Sequence, residues 1–283
     1  MRKRLRMCKA KCSKTLFVSD LDGTLLNHNQ TLSDKTRATL NSLIGEGLCF
    51  TYATARSLTS AREVTQGLNL KLPVIVYNGA FVQEADSGNT AIARQFSFAE
   101  KSDILTIFLR YGVYPRVYAL HNGKEKFSYV EEQLSEGTLR YLAKRRLDQR
   151  ANPVSEGQLL YGDVFCFSSI DDYDKLLPLY GVLKEKYHTV LYQDPYTGDD
   201  WLEVLPNRAT KADAILALKE LYGFERVVVF GDEKNDLSMF AVSDESYAVA
   251  NANEEVKQMA SGVIGSNTCD GVAEFLRSFL YLS

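Results

Sequence analysis

Short apolar runs that break off into polar residues recur along the chain. Thr15–Ser19 (TLFVS) runs into Asp20-Leu21-Asp22-Gly23-Thr24, and LCFTYA, ending at Ala53, runs into Thr54-Ala55-Arg56. PVIVY, ending at Tyr77, is followed by Asn78-Gly79, and RVVVF, ending at Phe230, by Gly231–Asp236. Runs this short, β-branched and apolar at nearly every position predict strands buried on both faces, as in a parallel sheet. Between them the spacing turns helical. Leu40, Leu43 and Ile44 recur behind a capping Ser33, Gly45 and Gly47 end that helix, and a second begins near Leu58. Strand–helix–strand alternation of this kind predicts an α/β fold with right-handed crossovers.

After the third strand the pattern changes. AFVQEADSGNTAIARQF reads as a hairpin around Asp86 to Asn89, and helical patches then alternate with YPRVYAL, GDVFCFSS and TVLYQ. Beyond LEVLP the first pattern returns: Thr210 caps KADAILALKELYG, RVVVFGD and YAVA read as strands, and GVAEFLRSFLYL is amphipathic. The expected organisation is a Rossmann-like parallel-sheet core of residues 14–94 and 206–283, a large inserted α+β domain of residues 95–205, and a basic N-terminal extension of residues 1–13. At ~150 residues per domain, the 283-residue length agrees with two domains.

Composition narrows the partners. A hydrophobic fraction of 45%, a charged fraction of 24% and a net charge of −3 describe an ordinary globular chain with no pull toward nucleic acid or anionic membrane. The opening MRKRLRMCKAKCSK is basic without a following apolar segment, and no run reaches the ~18 apolar residues of a membrane span. Five cysteines are scattered; Cys49 and Cys166 sit in apolar runs, and Cys8 and Cys12 lack the second ligand pair of a zinc site. A reducing, cytoplasmic setting is expected.

Open parallel sheets bind ligands beyond the carboxyl ends of their strands. If those ends lie together, Asp20, Asp22, Asp232 and Asp236 share one crevice. Asp-Gly alone is common turn chemistry, so Asp20 and Asp22 gain meaning only from this company. Crowded carboxylates raise one another's pKa, and a hard divalent cation relieves the repulsion. Mg²⁺ takes oxygen ligands and works with phosphate esters. Zinc is disfavoured because His28, His121 and His188 and all the cysteines lie outside these motifs. Carboxylates, hydroxyls and a lysine with Mg²⁺ point to phosphoryl transfer. There is no GxxxxGK[ST], and Gly45-Glu46-Gly47 fails GxGxxG because residue 50 is Phe50.

DLDGT from Asp20, TAR from Thr54, Lys211 and GDEKND from Gly231 together resemble the four motifs of the haloacid dehalogenase-like (HAD) phosphohydrolases. YNGA, GDEKNDLSMF, NANEEVKQMA and DGVAEFL resemble its Cof-type subclass IIB, with the insertion as a cap that selects substrate. The resemblance implies that Asp20 is the nucleophile and Asp22 the general acid, then base. It implies that Asp20, Asp232 and the Asp22 backbone carbonyl hold Mg²⁺, and that Thr54 and Lys211 bind the phosphoryl oxygens. Asn235 would contact phosphate or nucleophile, Asp236 and Asn78 would support the site, and Gly23 would let the backbone close around phosphate. Three alanines, Ala55, Ala212 and Ala250, stand where the family has glycine. The implied activity is Mg²⁺-dependent hydrolysis of small phosphorylated metabolites, sugar phosphates first, through an aspartyl-phosphate. A phosphomutase and a catalytically weak binding protein on the same scaffold are the alternatives. The implied state is a monomer or weak homo-oligomer.

Overall fold

The computed structural model describes residues 14–194 and 197–282. The basic segment 1–13, with Cys8 and Cys12, lies outside the described residues. The chain divides into two compact units, one formed by residues up to Ala93 together with Ala209 onward, the other by Arg94–Arg208.

The first unit begins with β1 (Thr15–Ser19), α1 (Asp34–Gly45), β2 (Cys49–Tyr52), α2 (Leu58–Val64) and β3 (Val74–Val76), then the antiparallel β4 (Phe81–Gln83) and β5 (Thr90–Ala93). Ser33 and Ser57 cap the two helices by accepting from Thr36 N at 2.9 Å and Ser60 N at 3.2 Å. β4 and β5 form the expected hairpin.

The second unit follows: α3 (Phe98–Arg110), β6 (Arg116–His121), β7 (Lys124–Tyr129), α4 (Glu136–Ala143), β8 (Ala151–Pro153), β9 (Asp163–Ile170), α5 (Tyr173–Leu183), β10 (His188–Gln193) and β11 (Asp200–Leu205). Its six-stranded sheet has the order β10-β11-β9-β6-β7-β8, antiparallel except for β7 with β8. Alternate residues go to opposite faces of a strand. Val117, Phe167, Leu202 and Val204 therefore pack in one core with Ile104 and Phe108 of α3 and Leu176 and Leu179 of α5. Arg116 belongs to the alternate set. It is buried, its guanidinium lies 3.9 Å from the Tyr141 ring centroid and 4.9 Å from that of Trp201, and Ser168 Oγ accepts from it at 3.0 Å. Aromatic faces thus surround the buried cation, and Glu203, in the same cross-strand row, attracts it as well. Glu203 is pushed up to about 7 by burial, against the opposing pull of Arg116.

The first unit resumes with α6 (Lys211–Tyr222), β12 (Arg226–Gly231), α7 (Leu237–Phe240), β13 (Glu245–Val249), α8 (Glu254–Met259), β14 (Gly262–Ile264) and α9 (Gly271–Leu282). Its main sheet is wholly parallel, in the order β14-β13-β12-β1-β2, and a parallel bridge from Ala53 to Ile75 links β3 beside β2. Leu16, Phe17 and Val18 of the central β1 are fully buried, as two-sided burial requires. The chain is thus α/β with a parallel-sheet core and additional sheets. The LEVLP segment pairs within the second unit, and β14 was not foreseen because its three residues include an exposed Val263.

Phe167 stacks on Phe108 with centroids 6.0 Å apart and meets Phe96 edge-on at 5.6 Å. Phe167→Ala is expected to destabilise the second unit by about 3–5 kcal/mol. Urea unfolding measures this, and a loss below about 1 kcal/mol would contradict the packing described.

Candidate active site

The register of the parallel sheet builds the site. Ser19 at the end of β1 aligns with Phe230 of β12, and Asp20 N donates to Phe230 O at 2.9 Å. Asp20 therefore leaves β1 beside the point where Gly231 and Asp232 leave β12. On the other side Tyr52 aligns with Ser19, which brings Thr54 to the same end of the sheet. β1 lies between strands that follow it early and late in sequence, the position at which a crevice opens in such sheets.

Lys211 is the first residue of α6, whose Thr210 cap accepts from Asp213 N at 3.0 Å. Its side chain is 1% exposed, and Nζ donates to Asp20 Oδ1 at 2.5 Å and to Asp236 Oδ1 at 2.7 Å. The other oxygen of Asp236 accepts from the backbone N–H groups of Asp232 at 2.9 Å and Glu233 at 3.1 Å. Thr24 Oγ1 donates to Asp232 Oδ1 at 2.5 Å. Oxygens of Asp20, Asp232 and Asp236 all lie within 4.8 Å of one another, and all three residues are buried.

The charges do not balance, since three carboxylates face one ammonium. Burial raises Asp20 well above the usual carboxylate range; Lys211 opposes this, and Asp236, Asp232 and Asp22 add to it. Burial and Asp236 push Asp232 up to about 7, against the bond from Thr24. Burial pulls Lys211 down, but Asp20 and Asp236 outweigh it, so Lys211 is held above its ordinary value and stays charged.

Asp22 departs from the expectation of one four-carboxylate crevice. Its carboxylate is not in the cluster and instead accepts both arms of Arg56, from Nε to Oδ2 at 2.7 Å and from Nη2 to Oδ1 at 2.6 Å. The physical reason is local. Asp20 and Asp22 are extended, but Gly23 turns to φ +79°, and the carboxylate finds a cation of its own. Arg56 was missed as a site residue; its only sequence signal was its place two residues after Thr54.

The remaining expected residues divide. Thr54 is fully buried, and its Oγ1 accepts from Arg56 N at 3.1 Å. Asn78 N donates to Thr54 O at 2.9 Å, while its Oδ1 is buried with no hydrogen-bond partner. Asn235 is exposed, and no side-chain bond draws it to the carboxylates. A side chain at Gly23 would overlap Asp232 Oδ2, so glycine is required there for space as well as for its φ. None of Ala55, Ala212 and Ala250 has a positive φ, so alanine is unstrained at each of the three.

A family model for haloacid dehalogenase-like hydrolases matches residues 17–276. A Bacillus subtilis protein named 5-amino-6-(5-phospho-D-ribitylamino)uracil phosphatase YwtE is 28% identical over 92% of this chain and 96% of its own length. A second from that organism, YitU, carries the same activity name and is 26% identical over 94% and 98%. The crystal structure of TM0651 from Thermotoga maritima superposes with a TM-score of 0.74 at 26% identity, covering 93% of this chain and 96% of that one. With a motif set, a parallel-sheet fold and a family match that spans nearly all of its length, the chain belongs to the haloacid dehalogenase-like hydrolase family.

Proposed function

We propose that this chain, a phosphoric monoester hydrolase, hydrolyses small phosphorylated metabolites with Mg²⁺ and through an aspartyl-phosphate on Asp20. The observation that carries the reading is the surplus of negative charge at Asp20, Asp232 and Asp236, which Lys211 offsets only in part. Hard oxygen donors without histidine or thiol suit Mg²⁺, and a divalent charge relieves the surplus. Asp20, Asp232 and the Asp22 carbonyl would hold the ion, with Asp236 behind them. When bound, Mg²⁺ supplies positive charge against the phosphoryl oxygens.

The protein's own groups account for the steps. An Asp20 oxygen attacks phosphorus while the ester P–O bond breaks, and its electron pair leaves on the alcohol oxygen, which takes a proton from Asp22. Asp22 then takes a proton from water as the water oxygen attacks the aspartyl-phosphate, and Asp20 recovers its electron pair as carboxylate. Lys211, Thr54 and Asn235 are assigned to the phosphoryl oxygens, where preorganised donors lower the barrier. Lys211 is fixed between two carboxylates before any substrate arrives, so it needs little reorganisation.

Both Bacillus relatives are named for a substrate with its phosphate on a ribityl chain, which supports sugar and polyol phosphates as the first substrates to test. We assign substrate selection to the inserted unit of residues 94–208. No helix among the described residues is long and apolar enough to cross a membrane. Cys166 and Cys269 are free thiols, which suits a cytoplasmic setting.

Asp20→Asn is expected to abolish p-nitrophenyl phosphate turnover with the circular dichroism spectrum unchanged; retained turnover would remove Asp20 as nucleophile. EDTA is expected to stop turnover and Mg²⁺ to restore it. A pH dependence follows as well. Asp232 stands at about 7 in the folded chain against an ordinary 3.8, so between those values the metal-free fold holds a proton that the unfolded chain has released. Stability from this group is therefore full at low pH and lost as pH rises through about 7. Mg²⁺ should raise Tm more at about pH 8 than at about pH 5, where protons compete for the same oxygens. Equal shifts at both values would count against a metal at these carboxylates.

A further inference from the structure

We infer that Arg56 is the positioning residue of the proton-transferring carboxylate Asp22, an inference that rests on the acid–base role proposed for Asp22. A carboxylate that gives up a proton and later takes one must stay aimed at the reacting oxygen. Asp22 keeps 32% of its side chain exposed, enough to meet substrate and enough to rotate freely if nothing held it. The Arg56 guanidinium, 17% exposed, grips both carboxylate oxygens in a planar fork.

The fork is itself fixed. Nη2 also donates to Gln30 Oε1 at 2.8 Å, and Nη1 donates to Ser60 Oγ at 3.1 Å. Arg56 N donates to Thr54 Oγ1, and Arg56 O accepts from Tyr77 N at 3.0 Å. Side chains of the β1–α1 connection and of α2, with the backbone of the β2–α2 loop, therefore set the plane of the guanidinium. An exposed single-point surface pair has no such anchoring and contributes little. When one Asp22 oxygen carries the proton, the fork still holds the other. The O–H bond of Asp22 breaks as the leaving alcohol gains the proton and the P–O electron pair, and the carboxylate left behind returns to both arms of Arg56. Lysine would bring equal charge without the two-point grip.

The test is the dependence of kcat/KM on leaving-group basicity across substituted phenyl phosphates. Protonation by Asp22 makes that dependence shallow in the natural enzyme and steep in Asp22→Asn. Arg56→Ala and Arg56→Lys are both expected to show the steep slope, losing about 100-fold on the most basic leaving group. On p-nitrophenyl phosphate the expected loss is below about 10-fold, because that leaving group needs little protonation. In an Asp22→Asn background, Arg56→Ala should add almost nothing. A natural slope in both Arg56 variants, with every ester slowed alike, overturns the inference; so does an undiminished effect in the Asp22→Asn background. Asp20→Asn separates the two levels. Its continued turnover would sink the site reading itself, whereas a dead Asp20→Asn with natural slopes at Arg56 would sink only the positioning role.

Discussion

The site depends on one buried ammonium. Lys211 lies among carboxylates that the sheet register brings together and their mutual repulsion would drive apart, and it donates to Asp20 and Asp236 at once. A lysine buried to 1% exposure is costly unless its charge is matched, and here it is over-matched. Asp20 and Asp236 keep Lys211 charged, and burial, with the imbalance adding to it, pushes protons onto Asp20 and Asp232. A neutral replacement would leave three buried carboxylates without a counter-charge, so position 211 governs fold and chemistry together.

Backbone close approach makes the cluster possible. At Gly23 the chain passes so near Asp232 that a methyl group would occupy the carboxylate's place. At Gly79, φ +102°, a side chain would overlap the backbone of Thr210, the residue that caps the helix carrying Lys211. Tyr77 and Asn78 before it are also left-handed, at φ 50° and 52°, a conformation that costs a non-glycine residue about 1–3 kcal/mol. The strain lies in the turn that seats Thr210 and therefore bears on where Lys211 begins its reach.

The parallel core was legible because its strands are short, apolar throughout and followed by polar clusters, and these strand ends do meet at Asp20 and Asp232. The Lys211 pairing was legible only as a lone lysine at a helix start, since its 191-residue separation from Asp20 hides the contact. Two features were not legible. β14 gave no strand signal, because its three residues include an exposed Val263 and are not apolar throughout. The second is the separation of Asp22 from its neighbours. Adjacency in sequence suggested a shared crevice, but side-chain direction depends on the turn at Gly23 and on a cation 34 residues away.

That separation bears on how two carboxylates two positions apart can differ. Asp20 is buried beside an ammonium and among like charges, whereas Asp22 is one-third exposed and held by a guanidinium. A nucleophile gains from desolvation and a fixed cation at the attacked phosphoryl group, while a proton-transfer group needs access to both the leaving oxygen and water. Had Asp22 also entered the cluster of Asp20, Asp232 and Asp236, its repulsion would have added more to a surplus that Lys211 already fails to cancel. Giving each its own cation offsets the repulsion between them and sets their chemistry apart, so the two roles proposed for DLDGT follow from two environments.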